Sequence, residues 1–279
     1  MNEIAMNGIA LTAEKRKSRL GREINAVVTI ALRDITLALR SPGAIIMSLA
    51  MPLVMMGMLG GSLAQNTAGG LGFDYGKYMM VGMLVNMLFM VTTTGMTSLV
   101  EDHTTDFTQE MLVSPVSRYS IVIGKIFGSS FGAVVSMAGT LIVGLIMGIS
   151  LSLTQLLMIL VLSPLMCLSG GALAMIVIGF IKSNKTASIA MMLITMPQMF
   201  LSGALIPIKN SSGVLYVLSH AMPMTYCLDL VRAVVYAGTP EYGSVVLFNP
   251  MVNFVAIAAL TVICLIIGTF FFARSEKNR

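Results

Sequence analysis

Of the chain's 279 residues 56% are hydrophobic and only 10% are charged, far below the roughly 25% charged share of soluble domains. A cytosolic globular enzyme is therefore excluded, and most of the chain is expected inside a bilayer. The net charge of +5 is read through its placement along the chain, as a topology signal and not as an affinity for nucleic acid.

Residues 1–18 are polar and are expected to form a disordered cytoplasmic tail. Over 19–42, Ile24, Val27, Val28, Ala31, Leu32, Ile35, Ala38 and Leu39 recur at the three-and-four spacing of one helix face, with Arg22, Glu23, Thr29, Arg33, Asp34 and Arg40 mostly elsewhere. The pattern predicts an amphipathic interfacial helix lying in the headgroup plane, ended by Pro42 and Gly43. The alternative is a cytosolic helix on a soluble domain, and the chain offers no such domain.

Six apolar runs follow within 43–279: Ala44–Leu63, Tyr78–Val100, Ile121–Leu151, Leu156–Ile181, Ala187–Ile208 and Pro250–Ala273. Each is long enough for the roughly 20 helical residues that cross a hydrocarbon core of about 30 Å. The fold class expected is thus an all-α integral membrane protein with six transmembrane helices. The first run is too long, and starts too late, for a cleavable signal peptide, so none is expected. Lys125, near the start of the third run, is the one ionisable residue these runs hold away from their ends.

Between the runs, the stretches 65–76 and 150–155 are short. Residues 209–249 are not, and they are too apolar for a solvated loop: Val214, Leu215, Val217, Leu218, Ala221 and Met222 precede Pro223, and Tyr226, Leu228, Leu230, Val231, Val234 and Val235 follow it. This predicts a re-entrant hairpin of two short helices before the last span, tolerated at membrane depth only where protein or a wet cavity covers it. Gly60 and Gly61, Gly69 and Gly70, and Gly170 and Gly171 read as close-packing positions. The 26 methionines read as pliable filler.

Basic residues are retained on the cytoplasmic side of a membrane. With both termini inside, fourteen of the 17 lysines and arginines fall on cytoplasmic segments, and only Lys77, Lys209 and Arg232 fall outside, so an N-in, C-in topology is expected.

Catalysis finds little support. His103 and His220 fall on opposite sides of this topology, so no histidine triad or metal cluster can assemble. Cys167, Cys227 and Cys264 are scattered and suggest neither disulfides nor metal. Gly124 and Lys125 imitate the end of a phosphate-binding loop, but Tyr119 holds its first glycine position and Ile126 its hydroxyl position. An internal proton relay is unsupported, since the span cores lack Asp, Glu and His. The polar residues at depth, Asn86, Thr92, Thr93, Thr94 and Gln198, either bond between helices, for about 0.6 to 2 kcal/mol each, or line a path. Asn86, Thr92, Thr93 and Gln198 are the candidate pathway.

Energy for any transport must then enter through the polar insert 101–120. On a helix, Asp102, Asp106 and Glu110 share one face at i, i+4 and i+8, where like charges repel and an opposing basic surface would reverse the cost. A solvated acidic turn is the alternative; a metal site on Asp102, His103 and Asp106 would be a poor surface cluster.

The stretch DFTQEMLVSPVSR, Asp106 to Arg118, followed by IVIGK, resembles the segment after the second span in type-2 permeases of the ATP-binding-cassette (ABC) transporters. FLSGALIP, Phe200 to Pro207, with Pro223, Thr225, Tyr226, Asp229 and Arg232 downstream, resembles that family's second signature. The resemblance covers nearly the whole chain and is closest to the drug-exporter branch typified by daunorubicin-resistance permeases. Asp106 stands where the family usually has glycine, which puts the local turn in question. The resemblance implies a non-enzymatic permease subunit of the plasma membrane, paired with a second permease copy, identical or not. A separate ABC ATPase would bind the ATP and magnesium. Asp102, Asp106, Glu110, Leu112, Val113, Pro115 and Arg118 would couple to that ATPase, and Asp229 and Arg232 would pair within the hairpin. The cargo expected is a hydrophobic or amphiphilic drug or natural product. Lipid-linked glycan, lipid and sodium export are the alternatives, with a passive pore or scaffold behind them.

Overall fold

Helix α1 spans Asn2–Leu39, so it takes in residues 2–18 of the stretch 1–18 that the sequence predicts to be a disordered tail. Ala5, Met6, Ala10, Leu11, Ala13, Glu14 and Lys15 are strong helix formers, and Gly8 is the main interruption among them. The computed structural model describes residues 2–40, 42–60, 72–102, 117–181, 183–209 and 211–277, and among these every regular element is helical.

After α1 come α2 (Pro42–Met55) with a π turn at Met56–Gly60, α3 (Tyr75–Gly95), α4 (Ser98–Asp102), α5 (Arg118–Ile146), α6 (Leu153–Ile178) and α7 (Asn184–Leu201). The chain closes with α8 (Val214–Ala221), α9 (Pro223–Val235), α10 (Tyr242–Val245) and α11 (Pro250–Lys277). Capping fixes several of these starts. Asp74 accepts from the Gly76 and Lys77 amides ahead of α3, and Ser152 with Gln155 forms a reciprocal capping box at α6.

Four helical stretches among the described residues are long and apolar enough to cross a membrane: Tyr75–Val100, Arg118–Ile146, Leu153–Ile178 and Tyr242–Phe272. The pair α8 and α9, bent by 81° at Pro223, makes a fifth if counted as one span. The runs expected as first and fifth spans are the shorter helices α2 and α7, each with an internal proline, Pro52 and Pro197. Helix α7 stops at Leu201, short of the expected Ile208, because Gly203 turns the chain with φ 86°, a conformation open to glycine without a Cβ clash.

Helix α3 is the central element, packed by α5, α6, α7 and α9. Its residues Val81 to Phe89 are all buried, whereas α11 turns Val252, Val255, Val262, Ile263, Ile266 and Phe270 outward. Exposed apolar side chains of this kind on α5, α6 and α11 suit a lipid solvent. Contact with α3 is close enough to require glycine: a Cβ on Gly82 would stand 2.0 Å from the Ala204 carbonyl oxygen.

Candidate coupling site and hairpin clamp

Two polar clusters lie at opposite ends of the helices. At the end where α1 meets the rest, α1 rests along α5 with Ile30 buried against it, while Ile24, Val28, Leu32 and Leu39 stay exposed. The protein-facing side of α1 is therefore the one that carries Glu23 and Asp34. The exposed side mixes these apolar residues with Arg22, Asn25, Thr29 and Thr36.

Asp34 is paired there. The Lys125 Nζ, on a side chain 1% exposed, lies 3.0 Å from Asp34 Oδ2 and donates to Asp34 Oδ1 at 3.1 Å and to Ser98 Oγ at 3.2 Å. Arg33 adds a guanidinium 3.6 Å from the same carboxylate. About two turns before Lys125, the Glu23 carboxylate accepts from the Ser117 amide at 2.9 and 3.1 Å, so an acidic side chain of α1 sits at the N-terminus of α5, where negative charge is favoured. These residues flank 103–116 on both sides: Ser98 in α4 just before it, Ser117 and Lys125 just after.

Of the coupling residues expected from sequence, Asp106, Glu110, Leu112, Val113 and Pro115 lie outside the described residues. Asp102 ends α4 and Arg118 begins α5. Sequence reasoning did not assign Glu23, Asp34, Ser98 or Lys125 to this site. The available signal was Lys125, since a lone ammonium in an apolar run demands a counter-charge.

At the other end the hairpin is clamped to α3, α7 and α11. The Asp229 carboxylate, 1% exposed, accepts from the Leu247 amide at 2.7 Å, the Phe248 amide at 2.8 Å and Asn253 Nδ2 at 2.7 Å. Arg232 donates from Nη2 to the Gly203 carbonyl at 2.8 Å, with its guanidinium carbon 3.6 Å from the centre of the Tyr78 ring. The pairing of Asp229 with Arg232 expected from their i, i+3 spacing is thus replaced by separate partners. The amides ahead of α11 claim the carboxylate, and the π face of Tyr78 and a carbonyl claim the guanidinium. Tyr75 and Tyr78 donate to the Leu205 and Gly203 carbonyls at 2.7 and 2.9 Å. Lys209 donates to the Gly243 carbonyl and, at 2.9 Å, to that of Val246.

The candidate pathway residues Asn86, Thr92, Thr93 and Gln198 are all buried. Thr93 bonds back to the Phe89 carbonyl at 2.6 Å and Asn86 Nδ2 reaches Met224 Sδ at 3.8 Å; Asn86 Oδ1 and Gln198 Oε1 have no hydrogen-bond partner among the described residues. None of the four lines either of two cavities beside α5. One, of about 250 Å³, lies among α1, α3 and α5 and is bordered by Asp34, Val91, Ser98 and Phe131. The other, of about 280 Å³, lies among α1, α5 and α6 and is bordered by Ile35, Phe131 and Cys167. Ser129 and Ser136 on the first cavity's wall bond to carbonyls of their own helix, so the space they face suits an apolar guest.

Among the described residues no group of His, Cys, Asp and Glu could hold a metal ion. A transport family's architecture is found instead. The family model for the ABC-2 type transporter matches residues 25–236, from α1 through the end of the hairpin. Nodulation protein J of Neorhizobium galegae is 24% identical over 232 residues, covering 79% of this chain and 86% of that protein. With helices that span and pack as described, the chain is a multi-pass protein of the cell membrane and belongs to the ABC-2 type transporter family, the membrane permease components of ABC transporters.

Proposed function

We propose that the chain is the permease subunit of an ATP-driven exporter and that residues 101–118 dock on a separate ABC ATPase, which binds the ATP and magnesium. The observation that carries this reading is the anchorage of both flanks of 103–116. Ser98 and Lys125 meet over Asp34, and Glu23 holds Ser117, so a force applied to that stretch meets a fixed frame and not a loose loop. Six spans are counted by adding α2 with its π turn and α7, 19 and 18 residues, to the four longer ones; at 1.5 Å per residue each reaches about 27 Å or more. Arg22, Arg33, Arg118, Lys125, Lys185 and Arg274 gather at the α1 end, which suits a cytoplasmic face with both termini inside.

A second permease copy completes the path, with Asn86, Thr92, Thr93 and Gln198 serving it. Asn86 Oδ1 and Gln198 Oε1 are costly to leave unpaired in lipid, and opening would bring them water or cargo. The cargo is a hydrophobic or amphiphilic compound, since the walls of both cavities are apolar and the one carboxylate bordering them is already paired.

Glu110→Lys places a cation where the ATPase groove is expected to be basic. Tagged wild-type chain, gently solubilised, is expected to retain a Walker-motif ATPase, and the variant to lose at least about 90% of it, the effect of some 1.4 kcal/mol. Full retention by the variant removes the coupling assignment. Cells making the intact pair are expected to accumulate less of a fluorescent anthracycline than cells carrying Glu110→Lys; equal accumulation removes the drug assignment and leaves glycan, lipid or sodium to be assayed.

A further inference from the structure

Three separate elements, α1, α4 and α5, converge on one ammonium, and it is buried. Asp34 and Ser98 both accept from Lys125 Nζ, and Ser98 Oγ in turn lies 2.8 Å from the Gly95 carbonyl to which it donates. The helices that carry the pair touch almost backbone to backbone. A Cβ on Gly128 would stand 2.6 Å from Asp34 Cβ, and one on Gly124 would stand 3.1 Å from both Ile30 Cβ and the Val27 carbonyl oxygen. Such a smooth contact permits sliding, because small residues interlock little. An ion pair does not, because separating two desolvated charges costs far more than sliding an apolar surface.

We infer that Lys125, Asp34 and Ser98 form a pin that makes α1, α4 and the start of α5 one lever, so that displacement of 103–116 moves all three together. The inference rests on the exporter reading. The three side chains act as positioning residues, since the ammonium, the carboxylate and the hydroxyl bond to one another. The pin accounts for a lysine being kept in an otherwise apolar span, where a methionine would cost nothing to desolvate.

The test needs no knowledge of the cargo. The complex with its copurifying ATPase is placed in nanodiscs, in a background with Cys167, Cys227 and Cys264 changed to Ala. Spin labels are carried on Leu153→Cys and Val214→Cys, at positions 73% and 75% exposed. Their distance is measured with and without ATP, magnesium and vanadate, beside the ATPase rate.

Asp34→Asn is expected to keep hydrolysing ATP while the ratio of nucleotide-shifted to resting distance populations falls by about fivefold or more, the lower range of coupling between sites. The exchange Asp34→Lys with Lys125→Asp is expected to restore most of it, which a merely structural role for either residue would not. An undiminished change in Asp34→Asn overturns the pin and leaves the exporter standing. Failure of any ATPase to copurify with the wild type overturns both. Should Asp34→Asn fail to insert, Ile30→Cys with Gly124→Cys decides, its Cβ atoms standing 3.1 Å apart, so that α1 and α5 need part by only about 0.5 Å to reach disulfide spacing. Closing that bond is expected to leave the distance change intact; a change abolished on closure and regained on reduction means that α1 and α5 must part, and overturns the pin.

Discussion

Asp229→Ala is expected to lower stability by about 3 to 5 kcal/mol, because three donors lose a charged acceptor at once and hydrogen bonds to charged groups contribute about 1.5 to 3 kcal/mol each without adding fully. The Leu247 and Phe248 amides and Asn253 Nδ2 would be left facing a vacated carboxylate site, in a position with almost no access to water. The change unfastens α9 from the start of the last span. A thermal melt of the purified protein in detergent should show the midpoint falling by about 10 °C. Asp229→Asn, which keeps an acceptor oxygen but turns an amide nitrogen toward donors, should lose about half as much. A melt unchanged in Asp229→Ala would mean that the hairpin is held by the Arg232 and tyrosine contacts alone.

Gly82→Ala is expected to be as damaging from the opposite cause, too much volume where there is none. The added Cβ would lie 2.0 Å from the Ala204 carbonyl oxygen and 2.9 Å from its carbon. These are backbone atoms that cannot swing aside, so the 203–205 segment must lift from α3. The hydrogen bonds from Tyr75 to Leu205 and from Tyr78 and Arg232 to Gly203 would then lengthen together. Overpacking of this kind costs about 1 to 3 kcal/mol, and the strained bonds raise it. Cys227, 0% exposed on α9, is the reporter: maleimide labelling should be slow in the wild type and several-fold faster in Gly82→Ala. Gly21→Ala, where a Cβ meets nothing within 4 Å, should instead gain about 0.5 to 1 kcal/mol of helix stability. Equal labelling of Gly82→Ala and wild type would show that the hairpin does not dock on α3 as described.

The bilayer setting, the helical class and the break at Pro223 were legible in the sequence, because run length, the 3.6-residue period and proline chemistry are local properties. So was the family, through DFTQEMLVSPVSR and FLSGALIP. Span count was less legible at α2 and α7. Hydropathy sums over a window, whereas Pro52, Pro197 and Gly203 act at single bonds, and α7 accordingly ends at Leu201. The i, i+3 spacing of Asp229 and Arg232 also misled, since a helical spacing says which side chains could meet and not which acceptors compete for them.

The sequence by itself determined that this is a membrane permease of helices, and it showed Lys125 as a lone charge within an apolar run. Only the tertiary structure decided that the counter-charge to Lys125 is Asp34, 91 positions away, on the face of α1 that packs against α5. Helical periodicity defines an apolar face without saying whether lipid or a neighbouring helix covers it. That choice was made by the close approach of α1 to Gly124 and Gly128, a contact between elements that no local pattern encodes.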